Sequence, residues 1–87
     1  MDRVIVHDVG SLDTFRYTLK SKRDELEALF RDFFNLTSSQ SSNWQDAQYE
    51  HLKSEITQFC NSGHLMLSQL DESIIYISNL VTKLREL

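Results

Sequence analysis

Residues 49–87 read YEHLKSEITQFCNSGHLMLSQLDESIIYISNLVTKLREL, and the spacing of their apolar side chains decides the fold. Tyr49, Leu52, Ile56, Phe59, Gly63, Met66, Leu70, Ser73, Ile77, Leu80, Leu84 and Leu87 follow one another at alternating steps of three and four, and only Gly63 and Ser73 among them are not large and apolar. A series with that spacing lies along one face of an α-helix with a heptad-like repeat. The register crosses Asn61-Ser62-Gly63 without a slip, so one continuous helix over about 44–87 is predicted rather than two helices broken at the glycine. A glycine inside a helix costs only about 1 kcal/mol relative to alanine, and it lets a facing side chain approach closely.

Upstream, Leu12, Phe15, Leu19, Leu26, Leu29, Phe33 and Leu36 keep the same alternation, with Lys22 the one polar interruption. This predicts a first helix over about 11–36, opened by Ser11 or Asp8 as the residue that accepts bonds from the first free amides. Residues 37–43 are small and polar and compete with the helix for backbone hydrogen bonds, so they form the turn. Ser42 with Gln45, or Asn43 with Asp46, has the spacing of a capping box at the start of the second helix. Residues 1–10 include the β-branched run Val4-Ile5-Val6 and read as an extended arm. The fold class is therefore all-α: a single-domain antiparallel two-helix hairpin, with the arm at one end and the polar turn at the other.

A turn near residue 40 sets Leu29 beside Leu52, Leu26 beside Ile56, Leu19 beside Gly63 and Leu12 beside Leu70. Beyond Leu70 the second helix then continues for about seventeen residues, roughly 25 Å, without a helical partner. A second stripe, Cys60, Leu67, Ile74 and Val81, recurs every seven residues beside the first and gives the C-terminal half a wide apolar face. Val4, Val6 and Val9 of the arm can cover part of it. Each large apolar side chain removed from water contributes about 1.5–3 kcal/mol, so the uncovered remainder favours association. The expected partner interface is Cys60, Leu67, Ile74, Ile77, Leu80, Val81 and Leu84, closing a dimeric four-helix bundle with a second copy or a related helical protein.

Phe30, Phe33, Phe34, Trp44 and Tyr49 converge at the turn end of such a hairpin. The Trp44 ring is expected over the end of the first helix with its N–H on a free carbonyl, either as a plug for the bundle end or, with Phe34 exposed, as a docking patch. A helix of this length, a polar turn with tryptophan and a longer second helix resemble the WXG-type proteins, the small helical hairpins of type VII (early-secreted-antigen-like) secretion systems. The motif stands here as Trp44-Gln45-Asp46, so the tryptophan matches and the glycine does not, as in diverged WXG-like branches linked to toxin loci. The family's Tyr-x-x-x-Asp/Glu export signal is not matched at Tyr76, which is followed four residues later by Leu80. The resemblance implies a non-enzymatic dimeric protein that is a secretion substrate, or a targeting adaptor for a larger toxin or secretion component. A structural subunit or co-chaperone of another secretion apparatus is the alternative, and a small all-helical enzyme a more distant one.

The remaining chemistry is sparse. The formal charge is −4, which disfavours nucleic acid as a main partner. No apolar run approaches the ~20 residues of a membrane span, and Asp2 beside Met1 argues against a signal peptide. The expected location is the cytoplasm, or outside the cell without a classical leader. The single cysteine excludes an internal disulfide. Cys60 and His64 are four apart but lack further ligands at a supporting spacing, so neither a metal nor a cofactor is expected. The carboxylates fall mostly off the apolar series and read as a solvated face, with no arrangement for nucleophilic or acid–base catalysis. Arg16, Lys20 and Arg23 share one helical face as a small basic patch better suited to a solvated or acidic protein surface. Lys22 is expected to snorkel out of the seam.

Overall fold

The computed structural model describes residues 3–86. Two helices pack along each other: α1, Val9–Ser38, and α2, Ala47–Arg85. At 1.5 Å per residue they are roughly 45 and 58 Å long, and the molecule measures 62 × 25 × 15 Å. A globular chain of this length would have a radius of gyration of about 12 Å; here it is 19.1 Å.

Each helix starts at an aspartate. The Asp8 carboxylate accepts the Ser11 amide at 2.9 Å, and the Asp46 carboxylate accepts the Tyr49 amide at 3.0 Å. Both satisfy a first-turn donor that has no intrahelical partner. The expected capping boxes at Ser42 and Asn43 do not form, and Asp46 is the cap instead. α2 runs unbroken through Gly63, as the register predicts. Thr14, Thr18, Thr37, Thr57 and Thr82 each turn a hydroxyl onto the carbonyl four residues earlier, which accommodates β-branched polar residues inside helices.

The turn differs from the expected 37–43 and occupies 39–46. α1 persists through Ser38, and successive tight turns follow, with the amides of Gln40, Ser41 and Asn43 each bonding the carbonyl three residues back. The turn lies later in the chain, and the pairing is shifted toward the C-terminus of α2. Asp13, in the second turn of α1, reaches Arg85 at 3.1 Å, where Leu12 was expected beside Leu70. The long unpartnered stretch beyond Leu70 is therefore absent among the described residues: Ile74 is buried and Val81 is only 3% exposed. Leu87, the last member of the apolar series, lies outside the described residues, as do Met1 and Asp2 of the arm. The rest of the arm is shorter than expected. Val9 already belongs to α1, residues 3–8 form no regular element, and Val4 and Ile5 are exposed while Val6 is half-buried.

The two helices also meet on faces other than those expected. Cys60, Leu67, Ile74 and Val81 are the buried stripe of α2, together with Tyr49 and Gly63. On α1 the half-buried residues facing them recur every seven: Val9, Arg16, Arg23, Phe30 and Thr37. The more apolar series named first in each helix is displaced to one side. Gly63 does face a large side chain, but it is Phe30 rather than Leu19. A β-carbon at Gly63 would overlap the Phe30 ring, which occupies the space the glycine leaves. The aromatic cluster continues outward, with Phe30 and Phe33 both edge-on to Phe59 at 5.4 and 5.9 Å.

Candidate interaction surface

In an antiparallel pair of heptad helices, the two flanks on one side of the seam come from equivalent positions of both helices. Here the two sides are chemically opposite. One edge carries charge. Arg23 grips Asp71 through two bonds of 2.7 and 3.0 Å, and also pairs with Glu27 at 3.0 Å. Asp13 is held by Arg16 and Arg85. The Asp71 carboxylate, through its hydrogen bonds, raises the Arg23 pKa, and the Arg16 guanidinium keeps Asp13 below the usual carboxylate range. The basic patch predicted from the sequence is thus neutralised within the chain: Arg16 by Asp13, Lys20 by Asp24, and Arg23 by Asp71 across the hairpin. Arg16 also lies 4.0 Å over the Tyr17 ring.

The other edge is apolar and open. Leu26, Leu29, Phe33 and Leu36 of α1 stand beside Leu52, Phe59 and Met66 of α2, all of them exposed. Leu29 is 52%, Phe59 53% and Met66 67% accessible. Two depressions mark this face. A groove of about 420 Å³ runs past Gly63 between Leu26, Phe59, Met66 and Leu70. A smaller dimple of about 190 Å³ is lined by Leu29, Asp32, Phe33 and Leu36. Lys22 lies on the same face, exposed and 3.2 Å from Glu25. It interrupts an outward stripe, not the hairpin seam.

The residues expected at a partner interface divide accordingly. Cys60, Leu67, Ile74 and Val81 are enclosed by α1 and cannot meet another chain in this conformation, while Ile77, Leu80 and Leu84 are half-buried at its edge. They face inward because α1 offers its Val9–Arg16–Arg23–Phe30 stripe to them. The exposed cluster instead comprises residues the sequence reading placed inside the hairpin. The Cys60 thiol donates to the Phe30 carbonyl at 3.4 Å, and the His64 ring lies against Phe30, so the two do not form a shared site. Among the described residues, no group of three or more His, Cys, Asp or Glu side chains is placed to hold a metal.

At the turn, Trp44 and Asp46 come together in a way the sequence reading anticipated only in part. The Trp44 ring packs 5.5 Å from Tyr49 of α2, not over the end of α1. The Tyr49 amide bonds the Asp46 carboxylate and, with the neighbouring Trp44 indole, lowers its pKa. Closing the helix ends falls to Tyr49, which is 2% exposed and donates its hydroxyl to the Thr37 carbonyl at 2.8 Å. Phe34 stands exposed on the charged side, bordering an open depression with Glu27, Arg31 and His64. No helix among the described residues is long and apolar enough to cross a membrane. The chain matches no family model, no curated protein and no solved structure.

Proposed function

We propose that the chain is a non-enzymatic interaction protein, a helical hairpin that works by laying its apolar edge against another helical chain, either a second copy or a helical segment of a larger protein. The observation that carries this reading is the continuous open face formed by Leu26, Leu29, Phe33, Leu52, Phe59 and Met66. The one-sided core, confined to α2, supports it. No residue of α1 is buried. The accessible surface is 6852 Å², against roughly 5,300 Å² for a typical folded monomer of this mass. Asp13, Arg16, Arg23 and Asp71 are paired with one another along the opposite edge. The likeness of the Trp44 turn to WXG-type hairpins extends the proposal to a role as secretion substrate or as targeting adaptor for a larger toxin or secretion component.

The test is a photo-crosslinking amino acid placed at Phe59 in the full chain, expressed in its native cells, with Glu72 on the outer surface of α2 as the control position. A discrete adduct with a polypeptide at Phe59 and none at Glu72 is the expected result. No adduct at Phe59 at any expression level refutes the reading.

A further inference from the structure

Resting on that reading, we infer that the occupant of the apolar edge is a single amphipathic helix of another protein, with lysine or arginine flanking its apolar stripe, and not a second copy of this chain. The shape of the edge selects a helix. Leu52, Phe59 and Met66 recur every seven residues along α2, and Leu29 and Leu36 do so along α1. The two rows bound a trough with the period at which a third helix packs against two others. Between them the groove at Gly63, about 420 Å³ and walled by Leu26, Phe59, Met66 and Leu70, has room for one large apolar side chain of the incoming helix. At about 200 Å² per large side chain, the exposed fractions leave roughly 700 Å² of apolar surface on this face, close to the ~800 Å² one partner contributes to a standard interface.

Charge selects which helix. Along α1, Glu25, Leu29, Asp32 and Leu36 follow at steps of four, three and four, and along α2 Leu52, Glu55 and Phe59 at three and four. Each carboxylate therefore stands in the same outer row as the apolar side chains on either side of it. Asp32 lines the dimple with Leu29, Phe33 and Leu36 and has no ion-pair partner among the described residues. Glu25 and Glu55 are exposed. Against these three carboxylates the rows set one lysine, Lys22, already 3.2 Å from Glu25, while Glu55 meets the His51 ring. The frame around the greasy face is thus acidic. A second copy would press this frame against itself and bring carboxylate beside carboxylate, an arrangement that rejects a partner. Arg16, Arg23 and Arg85, which could have answered it, are neutralised on the opposite edge. A helix with basic flanks meets the frame directly. Glu25 and Asp32 lie one heptad apart on one bank and Glu55 on the other, so the fitting segment carries two basic residues seven apart on one flank and a third on the opposite flank.

The test titrates the full chain with two synthetic helical peptides of about 18 residues, roughly 27 Å long. Both carry the same leucine stripe, one with lysine flanks and the other with glutamate flanks. The lysine-flanked peptide should bind at least about tenfold more tightly. Asp32→Lys should raise its Kd about tenfold, whereas Glu72→Lys, the same change of charge on the outer surface of α2, should move it less than about twofold. Phe59→Ser, at an exposed position, should raise the Kd at least about tenfold with the helical signal unchanged. Equal affinity for the two peptides, binding of neither, equal loss at Asp32→Lys and Glu72→Lys, or full binding by Phe59→Ser each overturns the basic helix as occupant. The crosslink at Phe59 separates this failure from that of the broader reading. An adduct with a second copy, or with a segment lacking basic flanks, overturns this inference and leaves the interaction reading standing; the absence of any adduct overturns both.

Discussion

Gly63 illustrates how one residue sets the local geometry. The Phe30 ring fills the volume a side chain would take, and the ring in turn braces Phe59 and His64. Gly63→Ala should raise helix propensity by about 1 kcal/mol yet force the ring aside at a cost of about 1–3 kcal/mol. The expected net result in urea denaturation is destabilisation, relieved when Phe30 is also changed to Leu. A glycine at this place in the register was legible as a point of close approach. Its partner was not, because the partner depends on where the turn falls. Tyr49→Phe removes the hydroxyl that caps Thr37 and should cost about 0.5–1.5 kcal/mol by the same measurement.

At the scale of the helices, the first start was legible because Asp8 precedes an apolar repeat, and a polar run marks the turn, whereas the cap of α2 is Asp46 and not the expected Ser42 or Asn43. The orientation of each helix about its own axis was not. α2 carries two adjoining apolar stripes, and α1 presents inward a stripe that includes Arg16 and Arg23. Periodicity assigns the more apolar stripe to the interior, whereas the stripes that meet are flanked by charges that pair across the hairpin, Arg23 with Asp71 and Asp13 with Arg85. The signal that could have distinguished them is the matching of Arg23 with Asp71 and of Asp13 with Arg85 at mirrored positions. A consequence is that Ile74→Ala, inside the hairpin, should cost about 2–4 kcal/mol, measurable as lost helical signal in urea. The caps and pairs also set an acid response. Asp46 and Asp13 have lowered pKa values in the folded chain, so their contribution is complete above the ordinary value of 3.8 and is lost as pH falls through their depressed values. Thermal melts should show Tm falling below about pH 4. Asp46→Asn keeps an acceptor for the Tyr49 amide and should flatten part of that fall.

The whole molecule is a slab with one charged and one greasy edge. If a basic helix covers the greasy edge, apparent Tm rises with the concentration of the lysine-flanked peptide. A Tm constant over about a hundredfold range of that peptide, read by circular dichroism, would contradict this. The overhang of α2 expected beyond Leu70 is absent, and the open apolar edge is the feature that favours association. The slab is 15 Å thick, scarcely more than one helix with its side chains. A wall so thin leaves each broad side open to water, so deuterium uptake slower along one of them than along the other would be an imprint left by whatever lies against it.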